Sequence, residues 1–412
     1  MTGIKVAILG FGTVGEGVYR TIQSHEDELT EVLGKKVEVA AILVKTAKKA
    51  REIHERVLVT TDFEEIIRLP KLDVVIEAIV GQEPSYTYLK RSIQRGCHIV
   101  TANKEMFAHH GKELIGLAEE HYVQVGFEAT VAGGIPVIQT LRQLLKINRV
   151  SQIDGILNGT SNFILTEMRE KKLAFGQSLR LAQEKGYAEA NPVNDVEGFD
   201  AFYKAMILSR IAFGTEPSWQ DVEREGITNI TGDLMLAAEK LGLRFKHVAS
   251  LRKDSHKIHG LVKPALVGNE HPFYHVEGVE NAVNVHSDIV GRITLQGPGA
   301  GMFPTASAVI EDLVYVNQFH AADQASNRKP ASFEVEEHDE AVGYWFIHGV
   351  SQASSLGLNV VWSDDDFAGI YIVKATKSEV GQLAQQESTM HYYAILGEIQ
   401  WDSVKQRPSV VI

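Results

Sequence analysis

The stretch VAILGFGTVGEGVYRTI, residues 6–22, decides the fold of the first part of this chain. The apolar run Val6–Leu9 has the length of a buried strand, a glycine-rich turn follows it, and a helical pattern continues to the end of the stretch. Strand, glycine turn and helix in this order form the dinucleotide-binding fingerprint. The alternative is a purely structural glycine turn.

Each glycine of the turn has a separate physical role. Gly10 permits the tight turn, Gly12 lets the backbone approach a pyrophosphate, and Gly15 allows the helix to pack closely on the strand. The helix begins near Thr13 and Val14, where unpaired N–H groups point towards a bound phosphate. The sequence therefore predicts a nucleotide-binding turn at residues 10–15.

Strands and helices continue to alternate along the first third of the chain. The strand candidates are Val37–Val44, Asp73–Ile79, His98–Ala102 and Val123–Glu128, and the helix candidates are Phe63–Leu69, Tyr86–Arg95 and Lys112–Glu120. This alternation predicts an α/β domain with a doubly wound parallel sheet of the Rossmann type, which binds ligands beyond the carboxyl ends of its strands. Thr101 and Lys104 fall in the predicted loop at that edge. Lys104 is therefore either an active-site cation or an exposed loop lysine.

The residues after the second strand bear on the choice of cofactor. An acidic residue there binds a ribose hydroxyl, whereas a basic one accommodates a 2′-phosphate. Lys45 follows directly, with Lys48 and Lys49 close behind, and no carboxylate occurs before Glu52. The pattern favours NADP, with Lys45 as the phosphate contact. NAD stays open, since these lysines could instead only solubilise a helix start.

The densest polar cluster is AQEKGYAEANPVNDVEGFDAFYK, residues 182–204. Glycine and proline predict a loop over residues 186–194 and a helix that restarts near Asp195 or Gly198. Asp200 and Lys204 are four residues apart and share one helical face. They form either a solvated ion pair or a site at the mouth of a core, which the apolar run after them favours.

With these residues in place, the chain resembles the homoserine dehydrogenases over roughly residues 1–320. The family signature A-x3-G-Y-A-x2-[DNS]-P-x2-D-V-x-G-x-D-x3-K is met from Ala182 to Lys204. Other family segments are GFGTVGEG at 10–17, TANKE at 101–105, EATVAGGIP at 128–136, NGTSNFIL at 158–165, and GPGAG with PTASAV at 297–309. The resemblance implies the NAD(P)-dependent interconversion of L-homoserine and L-aspartate 4-semialdehyde, on the path to threonine and methionine.

The resemblance also implies roles for individual residues. Lys204 would exchange a proton with the substrate oxygen, and Lys104 would be a second ammonium beside that oxygen. Asp200 and Glu189 would hold the substrate amine and orient the catalytic lysine. Two ammonium groups suit this reaction, because hydride transfer to an aldehyde builds negative charge on oxygen.

Two loops extend the predicted site. Asn158, Gly159 and Thr160 form either a strand-end turn or a substrate-side loop; family context favours the loop, with Gly159 and Thr160 as substrate contacts. Gly301 closes a second glycine loop that returns to the nucleotide domain, ahead of a helix predicted from Thr305 to about Val316.

The segment EATVAGGIP has a family counterpart that binds a monovalent cation near the cofactor domain. By this resemblance Glu128, Val131, Gly133 and Ile135 would bind Na⁺ or K⁺, mostly through main-chain carbonyls, as a hard cation requires. A domain hinge without an ion is the alternative.

Four segments are predicted from these patterns. Residues 1–134 are the dinucleotide-binding domain, 135–300 an α+β domain for catalysis and dimerisation, 301–325 a helix returning to the nucleotide domain, and 335–412 a small α+β tail. After a polar stretch at Asn327–Asp339, the tail reads as strands at Tyr344–Val350 and Ile370–Ala375, a helix at Lys377–Gln386 and a strand at His391–Ile399. It resembles an ACT domain without the expected Asp-x-x-Gly turn. It is either an amino-acid-binding regulator or a degenerate oligomerisation appendage.

Composition agrees with an enzyme of small molecules. The 412 residues carry a net charge of −12, which argues against nucleic acid and acidic membranes as partners. Cys97 is the only cysteine and no signal or long apolar run occurs, so we expect a cytoplasmic protein. The family resemblance implies a homodimer or homotetramer built through the middle domain. The alternative functions are a related dehydrogenase with another amino-bearing substrate and an amino-acid-sensing regulator without turnover.

Overall fold

A computed structural model describes residues 3–46, 52–254, 257–318, 342–350 and 356–397. The chain divides into two compact units. Among the described residues, the first unit comprises 3–46, 52–149, 203–216 and 297–318, and the second comprises 150–202, 217–254, 257–296, 342–350 and 356–397.

Strands and helices are numbered along the described chain. The strands are β1 (Ile4–Leu9), β2 (Val37–Leu43), β3 (Leu58–Thr60), β4 (Val74–Glu77), β5 (His98–Thr101), β6 (Val125–Gly126), β7 (Val150–Ile156), β8 (Glu223–Arg224), β9 (Arg244–Lys253), β10 (Ile258–Val267), β11 (Glu280–Ser287), β12 (Gly291–Pro298), β13 (Gly343–His348), β14 (Asn359–Ser363), β15 (Ile370–Ala375) and β16 (His391–Leu396). The helices are α1 (Thr13–Ser24), α2 (Glu26–Leu33), α3 (Phe63–Ile67), α4 (Ser85–Gln94), α5 (Lys104–Glu120), α6 (Val137–Leu144), α7 (Gly159–Glu170), α8 (Phe175–Glu184), α9 (Val193–Val196), α10 (Phe199–Phe213), α11 (Gly232–Lys240), α12 (Met302–Gln318) and α13 (Lys377–Gln386). Two short 3₁₀ helices occur at Glu128–Thr130 and Asp365–Phe367.

The first unit contains a six-stranded sheet in the order β3-β2-β1-β4-β5-β6. All five neighbouring strand pairs of this sheet are parallel, as the alternation of strands and helices predicts, so the Rossmann-type α/β class is confirmed. Strand β1 is central and almost entirely buried, because Val6 and Ile8 enter a core with residues of its neighbouring strands.

Helix α12 belongs to the first unit although it is far from β1 in sequence. Its Ala306, Val309 and Leu313 are fully buried in the same core as β1. A Cβ atom added to Gly17 would lie 2.7 Å from Met302 Cγ, so the glycine permits α1 and α12 to approach closely. The helix begins at Met302, three residues before the predicted start.

Two sequence predictions in the first unit need correction. Helix α5 begins at Lys104 rather than at Lys112, because the Asn103 side chain accepts a hydrogen bond from Met106 N at 3.1 Å and caps the helix. The strand predicted over Val123–Glu128 is only the two-residue β6, since Glu128 already begins a 3₁₀ turn.

The second unit contains a mixed sheet in the order β12-β11-β7-β9-β10-β16-β13-β15-β14, with β8 paired to β10. Its helices include α7 and α11, whose apolar faces share a core with Phe245 of β9 and Leu266 of β10. Helix α10 begins in this unit and continues into the first. The loop predicted over residues 186–194 ends two residues early, at Pro192, because α9 begins at Val193.

The C-terminal strands extend the sheet of the second unit. Strand β16 pairs in parallel with β10, and it pairs antiparallel with β13. Strand β15 and helix α13 have the predicted bounds, but β14 was missed because Asn359–Ser363 alternates weakly and is followed by a run of aspartates. The predicted polar stretch 327–339 lies outside the described residues.

In the ranges that the structure describes, every helix is too short or too polar to span a bilayer. The Cys97 thiol is buried and donates to Leu72 O at 3.3 Å.

Candidate functional site

The glycine turn after β1 has a backbone that side chains would disrupt. Gly10 has φ +95°, and a Cβ atom there would lie 2.6 Å from Ala78 O. A Cβ on Gly15 would lie only 2.0 Å from Gly10 O. Around Gly12, by contrast, no atom of the described residues lies within 4 Å of an added Cβ. The turn is therefore tightly packed at Gly10 and Gly15 and open at Gly12, where a ligand could approach the protein backbone.

Helix α1 starts at this open position. Gly12 is its N-cap, and Thr13 and Val14 form the first helical residues. Glycine has no side chain that could accept hydrogen bonds from the first N–H groups of the helix. These groups can therefore donate to an anion at the helix start. The predicted residues Gly10, Gly12, Thr13, Val14 and Gly15 thus lie together in one turn and the helix start that follows it.

The end of β2 lies beside the same edge of the sheet. Leu43 O accepts a hydrogen bond from Gly10 N at 3.0 Å, which joins the strand end to the glycine turn. Lys45 follows two residues later and is exposed. Lys48 and Lys49 lie outside the described residues. Glu52 is exposed and lies 3.9 Å from Arg20 Nη2.

The carboxyl ends of β4 and β5 form a buried polar network. Glu77 Oε2 accepts from Thr101 Oγ1 at 2.6 Å, and Glu77 Oε1 accepts from Ile79 N at 2.6 Å. Asn103 Nδ2 donates to Ile79 O at 2.9 Å. Lys104 follows as the exposed first residue of α5, so the expectation that it lies in a loop is wrong.

In the second unit, Asn158 joins two carboxylates of the polar cluster. Its Nδ2 donates to Asp195 Oδ1 at 2.7 Å and to Asp200 Oδ2 at 2.9 Å. Its Oδ1 accepts from Ser161 N at 2.7 Å and caps α7. The amide is thereby fixed from both sides, and it fixes the direction in which Asp200 points.

Asp200 and Lys204 lie on the first turns of α10 and are both buried, with 3% and 8% of their surfaces exposed. This burial rules out the solvated ion pair. The helix then runs through Ala205, Met206 and Ile207, which are almost completely buried. A buried carboxylate and lysine at the head of an apolar helix form the kind of environment in which acid/base groups are found.

Of the remaining predicted substrate residues, two begin α7 and Glu189 lies beyond α8. Gly159 and Thr160 are the first two residues of α7 rather than a separate turn. Thr160 Oγ1 donates to Tyr187 O at 2.6 Å, while a Cβ on Gly159 would lie 2.6 Å from Val279 O. Glu189 is exposed, and its main-chain oxygen accepts from Gln183 Nε2 at 3.1 Å.

The candidate cation segment, Glu128 to Ile135, is buried in the first unit. Glu128 accepts from Ile138 N at 2.7 Å and from Gln139 N at 2.8 Å, so both carboxylate oxygens face the start of α6. Burial raises the pKa of Glu128 to about 7. Each carboxylate oxygen still has a second lone pair for a cation.

The turn at 132–133 shapes this segment. Ala132 and Gly133 both have positive φ, and a Cβ on Gly133 would lie 2.4 Å from Gly299 O. The GPGAG loop, which ends at Gly301, therefore packs directly on the turn. Ile135 O accepts from Val137 N at 2.8 Å. One carboxylate with several main-chain carbonyls is a donor set suited to a hard cation. Among the described residues, no group of three or more His, Cys, Asp or Glu side chains could hold a metal ion.

Several polar residues of these sites were not predicted. Asn103 could have been found, because an asparagine ahead of a helical pattern is a helix-start signal. Asp312 gave no sequence signal, yet it is fully buried and its Oδ2 accepts from Glu128 N at 2.6 Å. Glu77 and Asp195 were missed as members of networks for the same reason: their partners are distant in sequence.

An open glycine turn at the head of a parallel sheet, with a buried lysine and carboxylate on one helix of the chain, defines a nicotinamide-dependent oxidoreductase of the Rossmann type. Two family models match the chain: "Homoserine dehydrogenase, NAD binding domain" over residues 10–128 and "Homoserine dehydrogenase" over residues 136–314.

Similar proteins agree with these matches. The homoserine dehydrogenase of Bacillus subtilis is 41% identical over 317 residues, which cover 77% of this chain and 73% of that protein. The crystal structure of a homoserine dehydrogenase from Thiobacillus denitrificans has a TM-score of 0.87 at 32% identity and covers 96% of this chain and 99% of that one. A hyperthermophilic archaeal homoserine dehydrogenase in complex with NADPH has a TM-score of 0.67 at 27% identity, covering 77% and 99% of the two chains. The chain belongs to the homoserine dehydrogenase family, and it is an oxidoreductase that acts on a CH–OH group.

Proposed function

We propose that this enzyme interconverts L-homoserine and L-aspartate 4-semialdehyde, in the pathway to threonine and methionine. The observation that carries the proposal is the buried Asp200 and Lys204 pair on α10, with Asp200 held by Asn158. Membership of the family indicates the substrate. The Asp200 and Lys204 pair provides the acid/base group and the carboxylate that this substrate needs.

A bound nicotinamide cofactor supplies the hydride to the aldehyde carbon, or accepts it from the alcohol carbon. In the reducing direction the aldehyde oxygen gains negative charge. Lys204 donates a proton to that oxygen from its ammonium group, and Lys104 stabilises the charge as a second cation. In the oxidising direction Lys204 takes the hydroxyl proton. The substrate amine is an ammonium ion near neutral pH, and Asp200 and Glu189 bind it.

Asn158 sets the orientation of Asp200. Its carboxylate accepts from an amide that is itself locked to Asp195 and to the start of α7. In this proposal a carboxylate held in this way recognises the substrate ammonium group from one direction. It would also orient Lys204, as the family resemblance implies. Gly159 and Thr160, at the start of α7, line the substrate side in this proposal.

For the cofactor we propose NADP as the preferred form. Lys45 is exposed at the end of β2, where a 2′-phosphate would be bound. The related archaeal enzyme in complex with NADPH agrees with this preference. Thr101, Lys104 and Gly301 complete the cofactor side of the proposed site. NAD is the alternative, and the ratio of kcat/KM for the two cofactors decides between them.

We also propose that Glu128, Val131, Gly133 and Ile135 bind Na⁺ or K⁺. The donor set and the left-handed turn at 132–133 support it. Activity in Tris buffer with added NaCl or KCl, compared at equal ionic strength with tetramethylammonium chloride, tests it. Equal activity in all three salts would leave the segment as a hinge.

The domain organisation proposed from the sequence assigns 1–134, 135–300, 301–325 and 335–412 to four segments. The strands of the last segment lie in the order β16-β13-β15-β14 with antiparallel neighbours, as in a split β-α-β module, which supports an ACT-like tail. We propose a cytoplasmic homodimer or homotetramer, and sedimentation velocity measures its size.

The test of the reaction is homoserine-dependent reduction of NADP and of NAD by the purified protein. Lys204→Ala and Lys104→Ala should each lower kcat by at least about 100-fold, the range of one acid/base or charge-stabilising group. Lys112→Ala is the matched control, because Lys112 is an exposed lysine of the same helix as Lys104. Cofactor binding without turnover in either direction would contradict the proposal and favour another amino-bearing substrate or a sensor.

A further inference from the structure

Glu77 is a buried carboxyl group for which the reaction has no direct use. It is the last residue of β4 and is fully buried in the first unit. Carboxylates are rarely buried without a partner of opposite charge, because the charged form loses its hydration. Burial accordingly raises the pKa of Glu77 to about 7.

Each oxygen of Glu77 binds a different loop. Oε1 accepts from Ile79 N at 2.6 Å, within the loop that follows β4. Oε2 accepts from Thr101 Oγ1 at 2.6 Å, at the end of β5. The carboxyl group is therefore a bridge between the two strand ends at the edge where Rossmann-type sheets bind their ligands.

The bridge continues to the start of α5 through Asn103. Thr101 Oγ1 accepts from Asn103 N at 3.0 Å, and Asn103 Nδ2 donates to Ile79 O at 2.9 Å and to Gly81 O at 2.7 Å. Asn103 Oδ1 caps the helix. The hydrogen bonds close a ring that begins and ends at Glu77.

The ring holds two parts of the site. Lys104 is the residue next to Asn103 and the first of α5, so its backbone position follows from the ring. Ala78 lies inside the bridged loop, and its carbonyl is the atom that an added Cβ on Gly10 would approach to 2.6 Å. Two apolar side chains at positions 77 and 101 would join the strand ends without burying a carboxyl group. The presence of the buried carboxyl group at position 77 therefore indicates a function beyond folding.

We propose that Glu77 is a positioning residue of the dehydrogenase: it joins the loops after β4 and β5 and thereby sets the position of Lys104. The inference rests on the role given above to Lys104. Glu77→Gln keeps the size of the side chain and one acceptor, but it turns one oxygen into a donor and weakens the bridge to Thr101. A shift of about 1 Å at a catalytic group can cost about 100-fold in rate. We expect kcat to fall at least 10-fold, with a smaller change in KM for homoserine.

A double-mutant cycle distinguishes positioning from general damage. In the wild-type background Glu77→Gln should lower kcat at least 10-fold, whereas in the Lys104→Ala background it should lower the residual kcat less than 2-fold. Ser92→Ala is the matched control: Ser92 is fully buried in the same unit and donates to Tyr88 O at 2.8 Å, away from the strand ends. It should keep wild-type kcat.

Equal losses in the two backgrounds would overturn the inference while leaving the reaction and Lys104 in place. Full activity of Lys104→Ala alone would contradict the proposed role of that lysine, and the positioning role would fall with it. If Glu77→Gln does not fold, Asn103→Asp removes the Nδ2 donor that closes the ring on Ile79 O and Gly81 O, while it keeps an oxygen that can cap α5. Asn103→Asp should then give the same background-dependent loss, and wild-type kcat in that variant would overturn the inference.

Discussion

Two glycines of the nucleotide turn should respond to alanine in opposite ways. At Gly15 the new methyl group would lie 2.0 Å from Gly10 O, where real contacts do not come under 3.0 Å, so the turn or the helix must move by about 1 Å. Overpacking of this kind costs about 1–3 kcal/mol. For a domain of about 200 residues, each kcal/mol lowers Tm by about 2–4 °C.

At Gly12 the same substitution meets no described atom within 4 Å, and its φ of −89° suits any residue. Folding should therefore change by less than about 0.5 kcal/mol. Cofactor binding should suffer instead, because this position lets the backbone approach the pyrophosphate. We expect the Kd for the cofactor to rise at least 10-fold, which corresponds to about 1.4 kcal/mol.

The assay combines thermal unfolding without cofactor and calorimetric titration with NADP and NAD. Gly116→Ala is the control, since Gly116 lies within α5 and no described atom is within 4 Å of its added Cβ. It should leave Kd unchanged and Tm unchanged or slightly raised. Wild-type cofactor affinity in Gly12→Ala, or a loss of Tm as large as that of Gly15→Ala, would refute the reasoning.

Three further outcomes are expected. Asn158→Ala removes the amide that binds Asp195 and Asp200 and that caps α7. Steady-state kinetics should show kcat at least 10-fold lower, and the free energy of unfolding should fall by about 1 kcal/mol. Unchanged kcat would contradict the role given to the amide. The pKa of Glu77 is about 7 in the folded protein, against an ordinary value of 4.5. Between pH 4.5 and 7 the folded protein therefore holds a proton on this group that the unfolded chain has lost. This group should therefore make stability fall as pH rises from about 4.5 to 7, by about 3 kcal/mol. Glu128 also has a raised pKa and contributes in both proteins, so urea unfolding should show a pH-dependent loss that is smaller by about 3 kcal/mol in Glu77→Gln than in the wild type. Gly198→Ala should lower Tm more than Gly186→Ala, because both have positive φ but only Gly198 would bring its Cβ within 2.9 Å of the His247 ring; equal shifts would show that backbone strain alone matters.

Local patterns in the sequence were enough to predict the architecture of the first unit. Strand β1, the glycine turn and α1 follow from preferences that act within about ten residues, and the parallel sheet follows from their repetition. The signature around Asp200 and Lys204 was enough for the family. Helix α5 could have been placed correctly from the same kind of signal, because Asn103 caps it locally.

Only the tertiary structure showed which residues distant in sequence become hydrogen-bond partners. Asn158 binds Asp200 across 42 positions, and Asp312 binds the amide of Glu128 across 184. Whether Asp200 and Lys204 are exposed or buried also depends on what packs around α10, which their spacing leaves open. Hydrogen bonds and burial of this kind depend on the path of the whole chain, whereas dihedral preferences and hydrophobic periods are properties of each segment by itself.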